Sequence, residues 1–140
     1  MSSFRIFDIA GSGMSAQSVR LNTVASNLAN AESVSGDAKT AYRARHPVFE
    51  AVRAQLAGQR GVDPGAAVRV ASITEDTRAP EMRYQPGNPL ANADGYVFAP
   101  NVNAVEEMVD MISASRAYQN NVEIMNASKD LLLATLRLGQ

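Results

Sequence analysis

The sequence predicts a mainly α-helical fold: a long N-terminal and a longer C-terminal helix pair as an antiparallel coiled coil, with a small extended β-containing segment between them. Two observations carry this. Apolar residues recur with helical period at both ends of the chain, and all six prolines fall in the stretch between. The chain divides accordingly into an N-terminal helix (residues 1–31), a loop and β segment (32–102) and a C-terminal helix (103–140).

In the first zone, Phe7, Ala10, Met14, Leu21, Val24, Leu28 and Ala31 recur at steps of three and four, with Gln17 completing the series. This predicts an amphipathic helix of coiled-coil type over about 6–31. Gly11 and Gly13 each cost roughly 1 kcal/mol against alanine, so the first turns need a partner to hold them. From Glu32 to Pro100 the period is lost, and Asp63-Pro64-Gly65, Gln85-Pro86-Gly87 and Asn88-Pro89 mark turns. Short strands are expected near Tyr42–Phe49, where Pro47 points to an edge, near Ala67–Thr74, where Val68 and Val70 alternate with Arg69, and through Gly95–Phe98. The period returns from Asn103 to about Leu138. Met108, Met111, Tyr118, Val122, Met125, Leu132 and Leu136 form one stripe, widened by Val105, Val109, Ile112 and Leu133. Asn103 caps this helix with Glu106 three residues on, and Gly139 stands where it should stop.

Length adds a functional inference. At 1.5 Å per residue the two helices would run about 38 and 54 Å, whereas a compact chain of this size has a diameter on the order of 37 Å. The second helix overshoots any such globule and carries Leu132, Leu133 and Leu136 into the overhang. Burying three such side chains is worth roughly 5–9 kcal/mol, so the pattern points to a component of an assembly.

Composition excludes other classes. With 13 Lys and Arg against 14 Asp and Glu, the net charge of -1 gives no basic footprint for nucleic acid. The absence of cysteine removes disulfides, thiolate metal sites and cysteine nucleophiles. The N-terminus lacks the apolar core and cleavage site of a secretory signal, and no run of about 18 apolar residues could span a bilayer.

Candidate chemistry is sparse. His46 lies beside Pro47 with Arg43 and Arg45 nearby and has no acidic or cysteine neighbour to make it a ligand or base. Gly11-Ser12-Gly13 lacks both the Walker lysine and a third glycine. Glu106, Glu107 and Asp110 are explained by the positive end of a helix dipole. Ser113, Ser115 and Ser128 have no paired base. No catalytic residue, metal site, cofactor or small-molecule substrate is expected, and the sequence argues against an enzyme. More informative are the asparagines within the helices, Asn22, Asn27, Asn30, Asn120, Asn121 and Asn126. Asparagine is a poor helix former, so their use suggests amides that hydrogen-bond across helices and fix register; chance surface placement is the alternative.

Several spaced motifs carry a family resemblance. Asn22-Thr23-Val24-Ala25-Ser26-Asn27-Leu28-Ala29-Asn30-Ala31, with its Asn-Leu-Ala-Asn core, resembles the N-terminal signature of flagellar rod, hook and hook-associated axial proteins. Asn103-Ala104-Val105-Glu106-Glu107-Met108, Ala114-Ser115-Arg116-Ala117-Tyr118-Gln119-Asn120-Asn121-Val122 and Leu131 to Gln140 resemble the matching C-terminal helix. Tyr42-Arg43-Ala44-Arg45, Pro86-Gly87-Asn88-Pro89-Leu90-Ala91 and Gly95-Tyr96-Val97 leading into Pro100-Asn101-Val102-Asn103 are similar to the proximal-rod members of the flagellar basal-body rod family. Glu32–Tyr42 departs from the Thr-Pro-Gly-Tyr turn of many axial proteins, being longer and free of proline, which suits the proximal-rod branch.

The resemblance implies a structural subunit of the proximal rod, in the basal body and periplasm, exported by the flagellar type III apparatus without a cleaved signal peptide. It implies terminal helices that pair in the inner layer of a helical tube, and torque transmission between the MS ring and the distal rod. The implied partners are copies of itself, other proximal and distal rod proteins, the adaptor between MS ring and rod, and the export apparatus. The expected assembly interface comprises Met14, Leu21, Val24, Asn27, Leu28, Asn30, Met111, Tyr118, Asn121, Val122, Met125, Leu132 and Leu136. Within it, Met14, Leu21, Val24 and Leu28 are expected to face Met111, Tyr118, Val122 and Met125. The alternative is a soluble helical adaptor or chaperone-like module that binds client helices through the methionine-rich stripe.

Overall fold

A computed structural model describes residues 3–53 and 66–138. Two long helices flank a short β segment, in the order α1 (Ser3–Asn30), β1 (Arg45–Arg53), β2 (Ala66–Glu75), β3 (Glu81–Tyr84), β4 (Tyr96–Ala99) and α2 (Ala104–Leu138). The Asp63-Pro64-Gly65 turn and Gly139 lie outside the described residues. With 28 and 35 residues, α1 and α2 are about 42 and 52 Å long.

The helices lie against each other, and their contacts ascend α1 as they descend α2. Asn27 bonds Glu107, Arg20 pairs with Asp110, Gly13 sits under Asn121 and Gly11 near Met125. α1 survives its two glycines because one of them serves this packing. A Cβ on Gly13 would come within 2.9 Å of Asn121 Nδ2, closer than atoms tolerate, so any larger residue here would have to push the Asn121 amide aside. α2 begins where its sequence signals it. Asn103 Oδ1 accepts from the amides of Val105 and Glu106, at 3.1 and 3.5 Å, satisfying two donors that have no partner within the helix.

The middle segment forms two separate antiparallel pairs, β1–β2 and β3–β4. In the first, Arg45 stands opposite Glu75 and Arg53 opposite Ala66, with an irregularity between Val48 and Phe49. Pro47 is tolerated because a two-stranded ribbon consists of edges. This ribbon lies along α1, where the Ser12 hydroxyl donates to Ile9 O at 2.8 Å and accepts the Val68 amide at 3.1 Å. β3 was not foreseen: Glu81-Met82-Arg83-Tyr84 alternates over only four residues, too few to stand out, and all four are exposed. Its partner β4 is the anchored strand, with Val97 and Ala99 buried and Phe98 exchanging backbone bonds with Ser35 at 2.9 and 2.7 Å. Gly95, at φ 80°, makes the turn into β4 beneath the ring of Tyr84.

The buried apolar side chains are small. Among the described residues they are Ala10, Ala16, Val24, Ala41, Ala44, Val97, Ala99 and Ala114. Small residues at the seam let the helices close on each other, while larger apolar side chains such as Leu21, Met111 and Met125 are half-buried and others, such as Met108 and Ile112, are exposed.

Candidate assembly interface

Asn27 is the best-determined polar position in the fold. Its side chain is wholly buried, and its amide uses its full capacity of two donors and two acceptors. The Nδ2 group donates to Arg45 O at 2.9 Å and to Glu107 Oε1 at 3.0 Å. Oδ1 accepts from Arg45 N at 2.9 Å and from the Tyr42 hydroxyl at 3.0 Å. Because a backbone N–H can only donate and a carbonyl only accept, Arg45 fixes which way the amide points. One side chain thus ties α1 to the start of β1 and to the first turns of α2.

The surroundings reinforce this knot. The Arg45 guanidinium lies 5.6 Å from the Tyr42 ring centroid and pairs with Glu75 at 3.1 Å. Burial pushes the Tyr42 hydroxyl above its usual range; Arg45 opposes the shift, and Glu107 and Glu75 add to it. Glu107 is buried, and its Oε2 has no hydrogen-bond partner. Its place in the first turns of α2 lets the helix dipole favour the carboxylate, while Asn27 satisfies Oε1. Beside the knot, Ala44 N donates to Asn101 Oδ1 at 2.8 Å, and Asn101 Nδ2 to Arg78 O at 3.0 Å. One turn of α2 further on, Arg20 and Asp110 pair at 2.9 Å. The acidic cluster assigned to the dipole from sequence therefore has two of its members engaged with α1.

The expected interface residues divide into three groups. Val24 and Asn27 are buried between the elements of the chain. Met14, Leu21, Leu28, Asn30, Met111, Asn121, Val122, Met125 and Leu132 are half-buried, so each still offers surface. Tyr118 and Leu136 are exposed, at 38% and 68%. The expectation that the helix asparagines bond across helices needs correction. Asn27 does so, but Asn30 and Asn121 turn back on their own helices, donating to Ser26 O at 2.8 Å and Ala117 O at 2.9 Å. A helix carbonyl four residues back is always within reach, and it competes with any distant acceptor. Asn22, Asn120 and Asn126 are exposed.

Val105, Met108, Val109 and Ile112 form an apolar ridge on α2, each more than half exposed. Ile112 and the fully buried Ala114 are two residues apart, about 200° around the helix. The first half of α2 therefore sets Glu107, Asp110 and Ala114 toward the rest of the chain and carries a second, apolar face that the chain leaves uncovered. A cleft of about 520 Å³ runs between α1 and the β1–β2 ribbon, lined by Val19, Asn22, Thr23, Ser26, Arg45, Ile73 and Glu75. Within it the Thr23 hydroxyl donates to Val19 O and Glu75 pairs with Arg45. Among the described residues no three His, Cys, Asp or Glu side chains converge as metal ligands, and no helix is long and apolar enough to cross a membrane.

Comparison with known proteins agrees with this architecture. The family model described as "Flagella basal body rod protein" matches residues 7–36, and that described as "Flagellar basal body rod FlgEFG protein C-terminal" matches residues 93–138. A Yersinia enterocolitica protein named flagellar basal-body rod protein FlgC is 55% identical over 140 residues, covering the whole of both chains. The chain belongs to the FlgC family of flagellar basal-body rod proteins. FlgC proteins of Salmonella typhimurium and Bacillus subtilis are 50% and 36% identical, again over the full length of both chains. The first of the two rod-family models covers most of α1 and the second runs from the turn before β4 through α2. They therefore span both halves of the knot, Asn27 in one and Glu107 in the other.

Proposed function

We propose that this chain is a structural subunit of the proximal rod, joining copies of itself and other rod proteins in a helical assembly that links the MS ring to the distal rod and carries torque. The observation that carries the proposal is full-length similarity to FlgC proteins, joined to a fold that leaves large apolar side chains outside along α2. On this reading α1 and α2 form an antiparallel coiled coil in the inner layer of the tube, the β segment packs outside it, and the thirteen expected interface residues contribute to contacts within and between copies. The descending order of contacts from Asn27–Glu107 to Gly11–Met125 supports the antiparallel sense. Delivery to the periplasm by the type III apparatus without a cleaved signal belongs to the same reading, as does the adaptor between MS ring and rod as one neighbour. The adaptor or chaperone alternative finds no support in the FlgC relatives.

Amide hydrogen exchange tests the proposal, followed over residues 6–31 and 103–138 in the purified chain and again in isolated basal bodies. Protection that rises sharply in basal bodies is the expected result. Equal protection in both states, or absence of the chain from basal bodies, refutes it.

A further inference from the structure

From Arg116 onward α2 carries four charges at strict seven-residue spacing: Arg116, Glu123, Asp130 and Arg137. A heptad spacing drifts only about 20° per repeat, so the four fall along one line of the helix. All are exposed. A solvated helix face gains by placing opposite charges three or four residues apart, yet these have only uncharged residues at those positions: Ile112, Ser113, Gln119, Asn120, Asn126, Ala127, Leu133 and Ala134. Nor does any of the four enter an ion pair among the described residues, whereas Arg45, Arg69, Arg78 and Arg83 of the β segment each pair with a carboxylate of the chain.

The order of signs, plus, minus, minus, plus, selects one arrangement with a second copy. We propose that α2 of one copy lies alongside α2 of the next in the same sense, displaced by two heptads, so that Arg116 faces the neighbour's Asp130 and Glu123 the neighbour's Arg137. Two heptads correspond to about 21 Å along the axis. A displacement of one heptad sets Glu123 against Asp130, and one of three heptads sets Arg116 against Arg137. Pairing in opposite senses places Glu123 on itself when Arg116 meets Asp130, sets like charges together when Arg116 meets Arg137, and engages only two of the four charges when Arg116 meets Glu123 or Asp130 meets Arg137. Only the two-heptad displacement matches all four charges without a like-charge contact. Exposed pairs are weak, each shifting an equilibrium roughly two- to fivefold; here they act by choosing the register, as flanking charges do in coiled coils. The inference rests on the reading of the chain as a rod subunit, because it needs copies that point the same way.

The chain has no cysteine, so disulfide mapping is clean. A variant carrying Arg116→Cys and Asp130→Cys should form cross-linked dimers and longer ladders in isolated rods under mild oxidation. Within one helix these positions are about 21 Å apart, well beyond disulfide reach, so any bond must join two copies. Arg116→Cys with Glu123→Cys should cross-link at least tenfold less. Rods that contain the protein but lack the 116–130 bond, or that favour 116–123, overturn the register while leaving the rod reading intact; absence of the unmodified chain from rods overturns both. Charge exchange supplies an independent arm. Arg116→Asp and Asp130→Arg should each reduce swimming of a complemented strain, and the double exchange should restore it. A double variant no better than the singles overturns the proposal.

Discussion

Replacing Asn27 by alanine removes four hydrogen bonds from a fully buried position and leaves Arg45 N, Arg45 O, the Tyr42 hydroxyl and Glu107 Oε1 without their partner. A buried polar group stripped of its partner costs about 1–3 kcal/mol. Tyr42 is half-buried and Arg45 exposed, so their groups recover part of this from water, whereas the buried Glu107 does not. A net loss of about 4 kcal/mol is expected, a large share of the 5–15 kcal/mol that holds a typical domain. At about 2–4 °C per kcal/mol for a chain somewhat larger than this, the melting temperature should fall by about 8–16 °C, and by more for a smaller one. The assay is thermal unfolding of the purified chain followed by helical circular dichroism, with urea titration to obtain the free energy. Asn27→Asp sharpens the test. It is nearly the same size, but it turns both amide donors into acceptors and sets a second carboxylate against Glu107, so it should be worse than alanine at neutral pH. A loss below about 0.5 kcal/mol for alanine, the size of an ordinary surface change, or an aspartate variant more stable than the alanine one, would refute the account of Asn27 as a saturated hydrogen-bonding centre.

Three further outcomes follow from other positions. Gly11→Ala meets its nearest neighbour, Met125 Cε, at 4.0 Å, and should stabilise the chain by about 0.5–1 kcal/mol through helix propensity. Gly13→Ala must displace the Asn121 amide and should fall about 1–2 kcal/mol below it in urea unfolding. Asp76 is held below the usual carboxylate range, first by the hydrogen bond from the Arg78 side chain and then by that from its backbone amide. Its contribution is therefore present above the ordinary value of 3.8 and is lost as pH falls through the lower folded value. Melting temperature measured down an acid series should drop in that window, and Asp76→Asn should flatten the drop. Val122→Asp puts a charge on a half-buried position of α2, and a complemented strain should then make no rods; normal rods by electron microscopy would remove Val122 from the interface.

The helices were legible because period and caps are local signals. α1 was expected over about 6–31 and runs from Ser3 to Asn30; α2 was expected from Asn103 and begins at Ala104, with Asn103 as its cap. β2 was expected over Ala67–Thr74 and extends one residue further at each end. β1 starts at Arg45 rather than Tyr42, because residues 42–45 are occupied by side-chain bonds to Asn27 and Asn101. β3 was hidden for the opposite reason: nothing on its surface is buried, and its existence depends on β4. The polar centre was half legible. Asparagine in a helix marked Asn27 as unusual but marked Asn30 and Asn121 equally, and whether an amide turns to its own helix or away depends on what lies 18 or 80 residues distant. Glu107 carried no signal that could separate it from Glu106, since both sit in the first turn of α2. Gly13 was readable as a cost to the helix, while its benefit depends on Asn121, which only the folded pair brings near.

The partners of Asn27 also order events in time. Three of its four bonds reach residues 15 or 18 positions on, and the fourth reaches Glu107, 80 positions on. A chain that emerges N-terminus first can close the short loops early, but the last donor of Asn27 stays open until three-quarters of the sequence has appeared. Loop closure over that span is slow compared with helix formation. A fragment ending before α2 lacks both Glu107 and the helix that packs over this face of α1, so Asn27 gains its full set of partners only in a chain that carries α2.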